Sequence, residues 1–185
     1  MNDFNHRMKI TKDWVYNTWD KYPPKWFLSI LWINHPKSYD LVERQSRHFR
    51  NCLLLKLYRK CKVTRLPNFP ERLGLTTFHE RSFSDVQLSN GETKPVECFH
   101  THIHLFNCEN VILNYPQLYM IIQNYCSRYI LNGNQGCVIK EWNINHHKGY
   151  NFKDYYKYKY VQDGDVPLDY KNTDILPLTS TLKLL

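Results

Sequence analysis

The run Phe99-His100-Thr101-His102-Ile103-His104-Leu105-Phe106 carries three imidazoles at every second position of an otherwise largely apolar stretch. On a strand, side chains two apart share a face, so the histidines point one way while Phe99, Ile103 and Leu105 point into a core. Imidazole is the commonest protein ligand for metals, and such a row can give one divalent cation two nitrogens. A further ligand comes most simply from a neighbouring strand, where Thr77-Phe78-His79-Glu80-Arg81 lies. A three-residue turn between the strands sets Glu80 opposite His102, whereas a two-residue Asn-Gly turn brings His79 to the site instead. Glu80 is preferred, because a carboxylate suits a hard cation, Mg²⁺ or Mn²⁺, that must also bind phosphate oxygens.

A second set of reactive groups is Tyr155-Tyr156-Lys157-Tyr158-Lys159-Tyr160. At helical spacing Tyr156, Lys159 and Tyr160 share a face. A phenol with a pKa of about 10 is a poor nucleophile at neutral pH. It becomes useful where a cation or base favours the phenolate and a metal activates the group attacked. Taken alone, such a stripe reads more simply as packing or phosphate binding.

These groups belong to a chain of 185 residues and 22.5 kDa, the size of one domain with tails. Its net charge of +8 and aromatic content of 15% suit a polyanion with stackable rings, single-stranded nucleic acid above all. No segment has the roughly 20 apolar residues that span a bilayer, and residues 1–7 lack the apolar run of a signal peptide. The expectation is an intracellular protein with no membrane partner and no small-molecule cofactor. Six cysteines without a Cys-x-x-Cys pair read as reduced, packed thiols. No Gly-x-x-x-x-Gly-Lys-Ser/Thr occurs, so the chain carries no ATP-driven helicase motif, and a helicase would be a separate partner or part of a longer parent protein.

The elements needed to hold the two groups follow from local pattern. Residues 1–25 read as a polar N-terminal extension ending at Pro23-Pro24. Trp26–Ile33 reads as a buried strand, and residues from Ser38, a candidate cap, to about Lys60 as an amphipathic helix. Leu73–Ser84 and Val96–Phe106 form a hairpin about Ser89-Asn90-Gly91. A helix starts at Pro116 and a strand spans Cys137–Asn145. A short helix covers Phe152–Gln162, and the tail from Val166 is extended or loosely docked. The order β-α-β-β-α-β-α predicts an α+β fold, a ferredoxin-like or RRM-like antiparallel sheet with helices on one face. The working domain is 26–165, followed by a tail at 166–185.

A strand with His-hydrophobe-His followed by a helix with Tyr-x-x-Lys resembles the HUH endonuclease superfamily, in particular its Rep-type rolling-circle replication initiators. The matching residues are His102-Ile103-His104 and Tyr156-Lys157-Tyr158-Lys159. The resemblance covers roughly residues 26–162 and implies a single-stranded DNA nicking-joining enzyme with a 5′-phosphotyrosine intermediate. It implies a Mg²⁺ or Mn²⁺ held by His102, His104 and Glu80, with His100 and His79 as alternatives. Tyr156 would be the nucleophile and Lys159 its cationic partner, with Tyr160 the alternative nucleophile. Lys140, His146, His147 and Lys148 would contact DNA. A single-tyrosine HUH transposase, a non-catalytic single-strand binder and a water-using metal hydrolase are the competing readings.

Overall fold

The computed structural model describes residues 2–59, 71–107, 114–131, 136–152 and 167–174. Helix α1 (Asn2–Lys21) leads into strand β1 (Trp26–Ile30) and helix α2 (Tyr39–Tyr58). Strands β2 (Gly74–Gln87) and β3 (Thr93–Phe106) form a long hairpin. Helix α3 (Tyr115–Ile121), strand β4 (Cys137–Glu141) and the one-turn helix α4 (Ile144–His147) follow. The sheet is antiparallel with order β2-β3-β1-β4, the order of a ferredoxin-like α+β fold.

Both faces of this sheet are covered. Behind it, α2 lays Val42, Phe49, Leu53 and Leu54 against Leu28, Ile30, Ile103 and Leu105 in the main core. Full burial of each such side chain contributes about 1.5–3 kcal/mol. Ser38 takes the extended backbone of an N-cap, but its side chain makes no capping bond. At α3 the cap is complete: Asn114 accepts from the Gln117 N–H, Gln117 reaches back to the Asn114 N–H, and Pro116 fills the first turn. The chain then continues through a π-turn (Ile122–Cys126) and a 3₁₀ turn (Ser127–Tyr129).

On the other face lies α1, where the sequence reading placed only a polar extension. Met8, Thr11, Val15, Thr18 and Trp19 are its buried stripe. Trp19 stands 6.0 Å from the Phe78 ring and 4.6 Å from the His104 ring, so α1 caps part of the histidine-bearing face. Helices therefore pack on both sides of the sheet.

The hairpin turn sets the register of the site. Leu88 N–H donates to Glu92 O at 2.7 Å, so the loop is Ser89-Asn90-Gly91, with Gly91 at φ +85°. A three-residue hairpin wants its left-handed glycine last, not in the middle. The consequence is a shift from the expected pairing: Glu80 lies opposite His100, and Phe78 lies opposite His102. Strand β4 likewise ends earlier than expected, because Asn143 caps α4 by accepting from the Asn145 N–H at 3.0 Å.

Residues 167–174, expected to be extended or loosely docked, are held along the edge of β2. Asp169 N–H donates to Thr77 O at 2.8 Å and His79 N–H to Pro167 O at 2.9 Å, with Leu168 bridged to Phe78. Tyr170 and Thr11 share a 2.7 Å hydroxyl bond, and Asp174 pairs with the buried Arg72 guanidinium. This strap thus ties α1, β2 and, through Asn172 to Glu43 O, α2.

Candidate metal centre

Glu80 on β2 and His100 and His102 on β3 all lie on the face that α1 only partly covers. Oε2 of Glu80 is 2.8 Å from Nε2 of His102 and 3.0 Å from Nε2 of His100, and the two Nε2 atoms are 3.1 Å apart. Metal–ligand bonds of roughly 2.0–2.2 Å at right angles put ligand atoms about 2.8–3.1 Å apart. The three atoms therefore have the dimensions of one triangular face of an octahedron, and this cluster could hold a metal ion. Two imidazoles and one carboxylate bound facially leave three coordination positions for other ligands.

The neighbours stiffen this arrangement. The Phe27 ring stacks on His102 at 5.2 Å and 23°. The Phe27 ring also stacks on His147, at 4.6 Å and 13°. Side-chain exposure rises from 2% at His102 to 10% at His100 and 13% at Glu80, so the group opens toward the hairpin tip rather than toward α1.

His104 faces the same way but is not in this group. It is fully buried, with Nδ1 at 3.1 Å from Thr76 Oγ1 and Nε2 at 3.3 Å from Asn151 Nδ2. Trp19, Trp142 and Phe78 wall it in. Burial, with His102 and His147 nearby, holds its pKa well below the usual imidazole range. The pair that the structure brings together with Glu80 is thus His100 and His102, while His104, expected as a ligand, stands apart from the cluster. The reason is register: Glu80 lies opposite His100, whereas His104 lies opposite Thr76, at the end of the row that α1 covers.

His79 turns to the opposite face, where it is buried against Thr101 and Asp169, so it is no ligand for this cluster. Lys140 is exposed beside the site, as the β4 partner of Phe27. His146 is exposed on α4, whereas His147 is buried and Lys148 is paired with Asp20 of α1. Tyr155, Tyr156, Tyr158, Lys159 and Tyr160 lie outside the described residues. Sequence reasoning missed the Asp169 and Asn172 contacts with the back of this site; Asp169 and Asn172 sit in a polar stretch with no periodic signal.

No family model, curated protein or solved structure matches the chain. No described helix is long and apolar enough to cross a membrane.

Proposed function

We propose that this protein is an HUH-type, Rep-like endonuclease that nicks and rejoins single-stranded DNA through a tyrosine. The observation that carries the reading is the convergence of Glu80, His100 and His102 on one point of an antiparallel sheet in ferredoxin-like order. These residues would hold Mg²⁺ or Mn²⁺, which supplies positive charge to the non-bridging oxygens of a phosphodiester.

Chain connectivity supports delivery of the tyrosines to that point. Phe152 packs on Phe78 at 5.6 Å between ring centroids, and Leu168 bridges to Phe78 from the other side of the tyrosine-bearing stretch. Phe78 is the strand partner of His102. Tyr156 follows Phe152 by four positions, a reach of at most about 14 Å in extended chain. In this reading the Tyr156 phenolate oxygen attacks the phosphorus, forming a P–O bond to the enzyme and releasing the 3′-oxygen, which leaves as a hydroxyl after taking a proton. Lys159 offsets negative charge at the phosphate. The 5′-phosphotyrosine keeps the bond energy, so attack by a 3′-hydroxyl rejoins strands. The +8 net charge and exposed Lys140 beside the site favour a polyanionic substrate.

The test is incubation with Mn²⁺ and single-stranded oligonucleotides of varied sequence, followed by a denaturing gel. A covalent protein–DNA adduct that disappears in Tyr156→Phe and His102→Ala supports the reading. Cleavage without an adduct would assign the centre to a water-using hydrolase.

A further inference from the structure

Directly behind the three ligands, on the reverse face of the sheet, runs a chain of buried hydrogen-bonding groups. His79 adjoins Glu80 on β2, and its strand partner Thr101 stands between His100 and His102 on β3. Nδ1 of His79 is 3.1 Å from Oγ1 of Thr101, and Nε2 is 2.8 Å from Oδ2 of Asp169. Trp32 Nε1–H donates to Thr101 Oγ1 at 2.8 Å, with Ser46 Oγ at 3.3 Å. Asn172 donates to Asp169 twice, from its backbone N–H at 3.0 Å and its side-chain amide at 2.6 Å.

Donor chemistry sets the proton directions. An indole nitrogen only donates, and an ionised carboxylate only accepts. With a neutral ring, His79 donates from Nε2 to Asp169 and accepts the Thr101 O–H at Nδ1. The two lone pairs of Thr101 then take Trp32 and Ser46. A threonine, histidine and aspartate in line suggest an activated nucleophile. Here Thr101 is wholly buried and its proton and lone pairs are all committed, so its hydroxyl does not attack anything.

What the chain does fix is where the ligands stand. Glu80 comes from one strand and both histidines from another, so their separation depends on how β2 and β3 lie at this pair of residues. Productive metal geometry tolerates about 0.5 Å of error. Thr101 is bonded to β2 through His79, to the segment after β1 through Trp32, and to α2 through Ser46, while Asp169 holds His79 from outside the sheet.

We propose that Thr101, His79 and Asp169 are positioning residues of the metal centre, acting through the backbone of the strands that carry its ligands. The proposal rests on Glu80, His100 and His102 binding a divalent cation.

The test measures Mn²⁺ affinity and thermal melting together on the full chain. Thr101→Val keeps shape and removes the hydroxyl; its Mn²⁺ affinity should fall about tenfold, the lower end of what outer-shell partners contribute. Thr101→Ser should restore affinity to within about twofold, since the hydroxyl alone is at issue. Asp169→Asn, far from the ligands in sequence, should also weaken binding severalfold and keeps the question open to test should Thr101→Val fold poorly. Leu118→Ala, a cavity in the core under α3, should lower the melting temperature without changing Mn²⁺ affinity. Parental Mn²⁺ affinity in Thr101→Val and Asp169→Asn, or a loss no larger than in Leu118→Ala, would overturn the proposal. Glu80→Gln separates the two claims. If it abolishes binding while Thr101→Val does not weaken it, the positioning role alone falls; if it binds like the parent, the metal centre falls and this role with it.

Discussion

The backbone N–H of Asn143 donates to Nδ1 of His147 at 2.9 Å, which leaves Nε2 as the protonated nitrogen of the neutral ring. Protonating Nδ1 would displace that bond, and burial, with Lys140 and His146 nearby, already lowers the pKa of this histidine. An unfolded histidine titrates near 6.5. As pH falls through that value the unfolded chain takes up the proton first, so the folded state loses stability progressively below about pH 6.5 and is unaffected above it. Urea melts at pH 7.5 and pH 5 should show this slope, and His147→Gln should make it shallower. Equal slopes would show that His147 does not titrate between the two states.

The histidine row should divide into two kinds of variant. Glu80→Gln, His100→Ala and His102→Ala should each lower Mn²⁺ affinity at least tenfold with little change in melting temperature. His104→Ala should do the reverse: truncating a ring packed among Trp19, Trp142 and Phe78 costs on the order of 2–4 kcal/mol. Calorimetric titration at a temperature where every variant is folded makes the comparison.

Among the tyrosines, the proposed reaction predicts that Tyr156→Phe removes the covalent adduct and most nicking, because the change deletes only the oxygen that would attack. Tyr155→Phe and Tyr158→Phe should stay active. Tyr160→Phe decides the number of nucleophiles: a silent change leaves one, and loss of joining alone indicates two. An adduct retained by Tyr156→Phe but lost in Tyr160→Phe would move the nucleophile four residues along the chain.

Helix α1 should be a structural part of the domain. Trp19→Ala removes the side chain that covers Phe78 and His104, a loss of about 3–5 kcal/mol. Trp19→Phe should retain more than half of that. Denaturant unfolding of the two variants gives the difference directly.

The parity of a strand made the face of the site legible. His100 and His102 with Glu80, but not His79, lie together because alternation puts them there. Which pair of histidines meets Glu80 was not legible, since it depends on the hairpin register and on where Trp19 of α1 covers the row. That helix was itself obscured: Thr11 and Thr18 occupy buried positions of its stripe and dilute the apolar period. The register slipped on one residue, Gly91, whose left-handed backbone closes the loop rather than centring it. The strap was hidden for another reason. Asp169, Asn172 and Asp174 look like surface residues, and their burial is offset by partners such as His79, Glu43 and Arg72 that no local pattern relates to them.

The strap also bears on the order in which the molecule is made. Strand β2 is at one end of the sheet order, and residues 167–174 satisfy backbone groups of Leu75, Thr77 and His79 along its outer side. During synthesis the β2–β3 hairpin leaves the ribosome long before Asp169 does. Until the strap arrives, that outer row of N–H and C=O groups is a template for any passing strand, including the same hairpin of a second nascent chain. The closing segment is therefore a late-arriving edge guard, and crowding of unfinished chains is the condition under which this protein would misassemble most readily.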